Sequence, residues 1–244
     1  MSYPLLMTGT IDPSKFLSDA NNVAIYDTNV RLEQYDNAIK RYIKESCFDK
    51  IVFVETSNYP LEIETYKELA HSYNKEFEFI PFSGNALKVR EKGKSYGEAE
   101  AILYALNNSM LLDDEDTIYK VTGRIFLTNS KKIIKTKDAC RNEFFSYFKF
   151  LDQRCVTYFF KFNKQDYLRY FSNVQDLVDD SNGIDIEVVF YRKIGRLQIE
   201  HKPFKTYPRL TGIIGGLGIA YDKSKLVYFI EDILIKMGMF TIIS

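Results

Sequence analysis

The sequence predicts an α/β domain with a mostly parallel sheet in its first half and a mixed second half. Three observations lead to this prediction. Short apolar runs alternate with segments of helical periodicity throughout the first half, which is typical of right-handed βαβ units. The run Lys50–Glu55 (KIVFVE) is continuously apolar at its centre, as are strands buried on both faces. No internal repeat or Pro/Ser-rich linker divides the 244 residues, so we expect one domain over 1–244.

The elements of the first half follow one another as strand, helix, strand. The first strand, Pro4–Thr10, ends at a glycine turn, and the helix after it, Asn29–Ser46, carries its apolar residues on one face. A later helix begins at Ser95, because Ser95–Glu98 has the S-x-x-E spacing of a capping box. The remaining predictions are strands at Lys50–Glu55, Phe77–Phe82 and Thr117–Val121 and a helix at Leu61–Tyr73.

The second half has a less regular pattern, and the whole sheet should contain six or more strands. Its predicted elements are a strand at Cys155–Phe162, a short helix at Gln165–Phe171, a helix at Gly183–Ile194, a strand near Leu197–His201 and an amphipathic terminal helix at Asp222–Met239. The terminal helix has an apolar stripe that would contact either the domain or a membrane surface, and packing on the domain is the favoured interpretation.

Composition excludes several classes of protein. The 33 basic and 33 acidic residues balance, whereas a dedicated nucleic-acid binder usually has a basic excess. The 3 cysteines form no CxxC pair and accompany only 2 histidines, which argues against a zinc site or a disulfide framework. The N-terminus lacks a basic region before its short apolar run, so no signal peptide is expected. We therefore expect a cytoplasmic protein, with peripheral contact at the inner face of the membrane left open.

Ligands of open α/β sheets bind beyond the carboxyl ends of the strands, and this rule selects the loops after the predicted strands. The first loop, Thr8–Asp12, contains Gly9, which would let backbone approach a ligand, and Asp12, which could accept hydrogen bonds from a ribose or base. A plain turn is an equal alternative. Neither a P-loop nor a GxGxxG segment is present, so a dinucleotide-binding site is not favoured.

Two further loops are rich in cations. Lys92 and Lys94 end a run of four cations before the helix at Ser95, where a diphosphate could bind, although a solvated lysine-rich loop is the commoner outcome. Lys120 and Arg124 flank Gly123 at the end of a buried strand. An apolar strand rarely holds two cations unless they have an anionic partner or reach solvent, which favours a binding role here.

Five segments carry a resemblance to a known family: TGTID, NVRLEQYDNAIKRYI, IVFVETSNY, GKSYGEAEAI and YKVTGRIFL. In this order, with the late segment YPRLTGIIGGLGIAY, they resemble bacterial surface-polysaccharide glycosyltransferases, which build capsule or O-antigen repeat units. The resemblance implies a single-domain GT-A fold of Rossmann-like type, with residues 1–130 binding a nucleotide-sugar donor. Residues 131–244 would bind the acceptor, a glycan or a polyprenyl-linked glycan. The expected activity is a hexosyltransferase-like sugar transfer.

The resemblance, together with the loops above, selects the residues expected to bind the donor: Thr8, Gly9, Thr10, Asp12, Arg31, Asn58, Lys92, Lys94, Lys120, Thr122, Gly123 and Arg124. One departure from the family pattern matters. GT-A enzymes commonly carry an Asp-x-Asp metal motif after the fourth strand, and this chain has Thr122-Gly123-Arg124 there. The acidic run Asp113–Asp116 precedes that strand and should lie at the opposite end of the sheet. Positioned cations can stabilise a departing diphosphate in place of a metal, so we expect no cofactor and donor binding without a metal. A divalent metal held by carboxylates distant in sequence, Asp12 among them, is the alternative left open.

The acceptor side offers candidate catalytic carboxylates. Glu187, with Asp185 as the second choice, would be the base of an inverting transfer, although acidic residues at a helix N-terminus also serve the helix dipole. A late loop would fold over the donor phosphates, or else join two strands; its candidate residues are His201, Arg209, Gly215 and Gly216. The alternatives to a glycosyltransferase are a sugar-phosphate nucleotidyltransferase and a non-catalytic protein that binds nucleotides or glycans.

Overall fold

The computed structural model describes residues 2–18, 24–135, 140–147, 153–213 and 223–242. Its strands are β1 (Pro4–Gly9), β2 (Lys50–Glu55), β3 (Glu76–Pro81), β4 (Thr117–Thr122), β5 (Ile125–Leu127), β6 (Phe159–Asn163) and β7 (Leu210–Gly212). Its helices are α1 (Thr28–Glu45), α2 (Glu64–Ser72), α3 (Ala86–Lys92), α4 (Lys94–Asn108), α5 (Ser130–Ile134), α6 (Lys164–Tyr170), α7 (Val174–Leu177), α8 (Ile186–Arg196) and α9 (Lys225–Lys236). Short 3₁₀ turns occupy Ser14–Phe16 and Asp180–Asn182.

The main sheet has five strands in the order β3-β2-β1-β4-β6. The first four are parallel, and β6 runs antiparallel to β4. This confirms the predicted mostly parallel sheet, with one strand fewer than expected in the described part of the chain. The strand predicted at Leu197–His201 is wrong, since α8 ends there and Gln198 has a positive φ of 48°. The late strand is β7, which pairs with β5 in a separate two-stranded sheet.

Helices cover both faces of the main sheet. Leu5 and Met7 of β1 belong to the apolar cluster under α1, and Leu6 between them belongs to the cluster under α4. The same alternation holds for Phe53 and Val54 of β2. Because successive side chains of a strand point to opposite faces, a strand between two helical layers must be apolar throughout. The continuous apolar run of β2 therefore reflects its burial on both faces.

The N-terminus of α4 is not capped as the sequence predicts. The helix begins at Lys94, so Ser95 lies inside the first turn, and its backbone N–H donates to Asp180 Oδ2 at 3.1 Å. Gly93 precedes the helix at φ 96°, and a Cβ there would lie 2.3 Å from the Asp180 carboxylate. The cap thus comes from a residue far along the chain, and a glycine makes room for it.

The strand order reverses between β1 and β4, and these two strands meet closely at their carboxyl ends. The backbone N–H of Gly123 donates to the carbonyl of Thr8 at 2.8 Å. A Cβ on Gly123 would lie 2.8 Å from that carbonyl oxygen and 3.0 Å from the Tyr35 ring. The loops after β1 and β4 therefore lie at the same edge of the sheet, as expected. The acidic run before β4 lies at the other end, where Glu115 pairs with Lys50.

Gly123→Ala should destabilise the fold by about 1–3 kcal/mol, because the added methyl group meets fixed backbone and a packed ring. The measurement is the free energy of unfolding in urea. Gly97→Ala is the matched control, since Gly97 lies inside α4 and a Cβ there meets only the Val89 side chain, at 3.2 Å. Alanine is favoured over glycine in a helix, so this control should unfold at the wild-type urea concentration or above. Equal unfolding midpoints for Gly123→Ala and wild type would contradict the close approach.

Candidate functional site

A cavity of about 520 Å³ opens at the carboxyl ends of β1 and β4. This is the switch point of the strand order, where ligands bind in open α/β sheets. The N-terminal turns of α4 and α8 form part of its wall. It is lined by nine of the residues predicted from sequence: Thr8, Gly9, Thr10, Arg31, Lys94, Thr122, Arg124, Asp185 and Glu187. Seven of the twelve candidate donor residues and both candidate catalytic carboxylates therefore share one cavity.

One wall of the cavity contains two buried guanidinium groups. Arg31 and Arg124 lie 6.0 and 5.8 Å from the centre of the Tyr35 ring. Arg31 holds the first loop in place, since its Nε donates to the carbonyl of Thr10 at 2.7 Å and its Nη1 to that of Ile25 at 3.0 Å. Arg124 Nη1 donates to Gln34 Oε1 at 2.9 Å, and its Nε is buried without a hydrogen-bond partner.

Within the part of the chain that the structure describes, neither arginine forms an ion pair with a carboxylate. Burial lowers the pKa of Arg124, and the neighbouring charge of Arg31 lowers it further. Two buried positive charges without a counter-charge are unfavourable, and an anion bound beside them would relieve this cost. This wall is suited to an anionic ligand.

A second part of the cavity lining contains the carboxylates of Asp185 and Glu187. Asp185 caps α8, because its Oδ1 accepts a hydrogen bond from the Val188 N–H at 3.0 Å. Arg154 forms an ion pair with the other oxygen of Asp185 and lies 3.8 Å from Glu187 Oε2. The Tyr147 hydroxyl donates to Glu187 Oε1 at 3.0 Å. Arg154 therefore neutralises mainly Asp185, and the hydrogen bond that Glu187 accepts comes from the uncharged hydroxyl group of Tyr147.

Burial raises the pKa of Glu187 to about 7. The nearby carboxylates of Asp185 and Glu98 raise it as well, while the Tyr147 hydrogen bond and Arg154 lower it. A carboxyl group with this pKa can take up or release a proton near neutral pH, which is the property required of a general base or acid.

Several predicted donor residues lie away from the cavity surface. Lys120 is fully buried, and its ammonium group pairs with Glu98 and donates to the carbonyl of Thr157 at 2.8 Å. Its charge is therefore paired inside the protein, and Lys120 does not line the cavity. Lys92 donates to the carbonyl of Asp176 at 2.8 Å. The backbone of Gly123 is covered by Thr8 and Tyr35, as described above.

Two residues of the first loops also point elsewhere. Asp12 accepts hydrogen bonds from Ser14 N–H at 3.0 Å and from Thr28, and these bonds lower its pKa. Asn58 is exposed at a positive φ of 55°. Neither residue lines the cavity.

The residues of the late loop that the structure describes lie outside the cavity. Arg209 Nη2 pairs with Asp232 Oδ2 of α9 at 2.9 Å. The Nδ1 atom of His201 lies 2.8 Å from the carbonyl oxygen of Ile199. Gly215 and Gly216 lie outside the described residues.

Among the cavity residues that were not selected from the sequence are four whose side chains contact the candidate site residues or Lys120: Tyr35, Glu98, Tyr147 and Arg154. Tyr35 follows Arg31 by one helical turn on the buried face of α1, and this spacing was a usable signal. Arg154 lies 31 residues before its partner Asp185, and no local pattern links the two.

The donor atoms at the end of β4 do not suit a metal ion. The positions of the usual Asp-x-Asp motif hold a threonine hydroxyl, a covered glycine and the guanidinium of Arg124. Over the described ranges, no group of three or more His, Cys, Asp and Glu side chains is arranged to hold a metal. No helix of these ranges is long and apolar enough to cross a membrane.

Comparison with solved structures shows the type of fold. The chain superimposes on the glycosyltransferase GlyE of Streptococcus pneumoniae with a TM-score of 0.53 and 9% identity, over 83% of this chain and 46% of GlyE. The apo form of GlyE superimposes with a TM-score of 0.52 and 8% identity, over 82% of this chain and 45% of GlyE. The chain thus spans about half the length of GlyE. The inositol-1-phosphate CTP transferase of T. maritima gives a TM-score of 0.49 at 14% identity, over 96% and 97% of the two chains.

The likeness is one of fold. It confirms the predicted α/β class with a mostly parallel sheet, and at such low identity it carries no residue assignments. No protein-family model matches the sequence, and no curated protein matches it.

Glu187→Gln should make the protein more stable at pH 8 than the wild type. The folded pKa of Glu187, about 7, lies above that of an unfolded glutamate. The unfolded wild type therefore loses this proton first, and wild-type stability falls as the pH rises from about 4.5 to 7. Glutamine does not titrate, so the free energy of unfolding of the variant should exceed that of the wild type by about 1–3 kcal/mol at pH 8. This difference should be absent at pH 4.

The measurement is the free energy of unfolding in urea at a series of pH values. Glu33→Gln is the control, because Glu33 is an exposed carboxylate on α1. Its curve should stay parallel to the wild-type curve at every pH. If the free energy of unfolding of Glu187→Gln followed pH in parallel with that of the wild type, Glu187 would have an ordinary pKa.

Proposed function

We propose that the chain is a glycosyltransferase that moves a sugar from a nucleotide-sugar donor to a glycan or lipid-linked glycan acceptor. The observation that carries this proposal is the composition of one cavity. Its lining includes two buried cations without carboxylate partners in the described chain, and also a carboxyl group with a pKa of about 7. Departure of a nucleoside diphosphate and deprotonation of a hydroxyl require these two properties.

The donor diphosphate binds at the cationic wall in this proposal. Arg124 is the central residue, because its buried Nε has no partner and its Nη1 is held by Gln34. A guanidinium can donate two parallel hydrogen bonds to phosphate oxygens, which stabilises negative charge as the bond to the sugar breaks. Arg31 adds positive charge while it holds the loop at Thr10, and the exposed Lys94 lies at the cavity rim.

The acceptor hydroxyl approaches from the side of Glu187. Its oxygen forms the new bond to the anomeric carbon, its proton passes to Glu187, and the diphosphate leaves with the electron pair of the old bond. Attack from the face opposite the diphosphate inverts the configuration. Asp185 and Arg154 form an ion pair with each other beside Glu187, and this pair helps to position the Glu187 carboxyl group.

The class of acceptor, a glycan of a bacterial surface polysaccharide, is inferred from the resemblance of the sequence segments. The fold is shared with GlyE, a glycosyltransferase. The ordered segments from TGTID to YKVTGRIFL support a role in capsule or O-antigen synthesis. In this reading the enzyme needs no metal, because Arg124 replaces the carboxylates that would bind one.

Donor binding is tested by thermal shift with uridine and guanosine diphosphates in a buffer containing EDTA. At least one of them should raise the melting temperature of the wild type, since a ligand that binds the folded state stabilises it. Arg124→Lys keeps the charge but loses the planar pair of donors. It should weaken binding by about ten- to a hundredfold, equal to about 1.5–3 kcal/mol. Arg90→Lys, a change of an exposed arginine, is the matched control and should bind as the wild type.

Each other outcome contradicts part of the proposal. No shift with either nucleotide would count against a donor site. A shift that appears only after manganese or magnesium is added would show that a metal holds the diphosphate. Equal binding by Arg124→Lys and the wild type would remove Arg124 from the site.

Glu187→Gln should bind nucleotide normally and turn over about 10²–10⁴ times more slowly, because it lacks the base. The measurement is release of nucleoside diphosphate from a panel of nucleotide sugars with acceptor present. The wild-type rate should rise with pH through about 7, as Glu187 loses its proton. Normal turnover by the variant, or a product that retains the donor configuration, would show that Glu187 is not the base.

A further inference from the structure

Helix α9 turns its acidic side chains toward the domain. Asp232 pairs with Arg209 at 2.9 Å and also accepts a hydrogen bond from the Tyr207 N–H at 2.9 Å. Glu231 pairs with Lys223. Ile235 is buried on the same side. These contacts fix which face of the helix is turned inward.

The opposite face of α9 and of the residue after it is apolar and exposed. Its five large side chains are between 42% and 68% exposed: Leu226, Phe229, Ile230, Ile233 and Met237. An ordinary surface helix turns charged residues outward, whereas the acidic residues of α9 are turned inward. The favoured expectation that this stripe packs on the domain is wrong, because the inward positions are taken by Tyr228, Leu234, Ile235 and the two acids.

The charges that remain on the outer side of α9 are all positive. Lys225 and Lys236 are exposed at the two ends of the helix. Within residues 223–242, the acidic residues are Glu231 and Asp232, and both are paired inward. The outward surface thus combines a continuous apolar stripe with a lysine at each end.

We propose that this surface docks α9 onto an anionic lipid bilayer. The helix has 12 residues and is about 18 Å long, too short to span a bilayer, so it would lie in the plane of the interface. The apolar stripe would enter the boundary between headgroups and acyl chains, and the lysines would contact anionic headgroups. No residue of α9 lines the cavity, so this proposal does not depend on the proposed function.

Charge favours a bilayer over a second copy of the chain as the occupant. Two copies that paired through this face would each bring Lys225 and Lys236, with no exposed acid on the face to meet them. An isologous contact would therefore place like charges close to one another. An anionic surface supplies the complementary charge.

The test is cosedimentation of the full chain with vesicles of phosphatidylcholine and phosphatidylglycerol in equal parts, and with vesicles of phosphatidylcholine alone. The wild type should bind the anionic vesicles more strongly, and added salt should weaken binding. Phe229→Ser with Ile233→Ser should reduce partitioning by about tenfold or more. Leu87→Ser with Met110→Ser is the matched control, because these two residues are 76% and 82% exposed on other elements.

The control pair should bind as the wild type, and Lys225→Gln with Lys236→Gln should bind less on anionic vesicles. Circular dichroism and melting temperature establish that each variant is folded. Absence of wild-type binding to anionic vesicles would overturn the proposal, as would equal loss in the control pair. A wild-type dimer that Phe229→Ser with Ile233→Ser dissociates, without vesicle binding, would show that a second copy covers the face.

Discussion

The hydrogen bond from the Gly123 N–H to the Thr8 carbonyl determines where everything else at the site can lie. It joins β1 and β4 at the point where the strand order reverses, and it brings the loops after both strands together. The Tyr35 ring packs against Gly9 and Gly123, so neither position has room for a side chain. The Tyr35 hydroxyl in turn accepts the Thr10 N–H at 2.9 Å. The glycines thus serve the close approach of strand and ring, and Gly9 also lines the cavity.

Two kinds of charged group line that cavity. Arg31 and Arg124 have no counter-charge in the described chain, while Glu187 is only weakly neutralised, because Arg154 is engaged by Asp185. A closer contact between Arg154 and Glu187 would lower the pKa of this carboxyl group and remove its usefulness near neutral pH. The residues that set this balance lie on α1, after β4, before β6 and at the start of α8, which are distant in sequence. The proposed function therefore depends on the topology as much as on the residues themselves.

Much of the fold and part of the site could be predicted from sequence, because the deciding signals were local. Burial of β2 on both faces makes it apolar throughout, and parallel strands place Thr8 and Arg124 at one edge. Local patterns failed where a distant partner decides the outcome. Lys120 resembled a phosphate-binding cation, but its charge is taken by Glu98 of α4. Ser95 resembled a helix cap, yet the cap is Asp180, 85 residues away. The apolar stripe of α9 was predicted, but its favoured direction was wrong, because periodicity gives the width of an apolar face and not its direction.

The central claim is that the cationic wall binds a diphosphate directly, opposite Glu187. A crystal structure with the nucleoside diphosphate that stabilises the protein tests this claim most directly. The account predicts phosphate oxygens within hydrogen-bond distance of the Arg124 guanidinium, with the terminal phosphate facing Glu187 across the cavity. A diphosphate held through a metal ion by carboxylates, or one bound at the lysines before α4 with Arg124 still bonded only to Gln34, would contradict it.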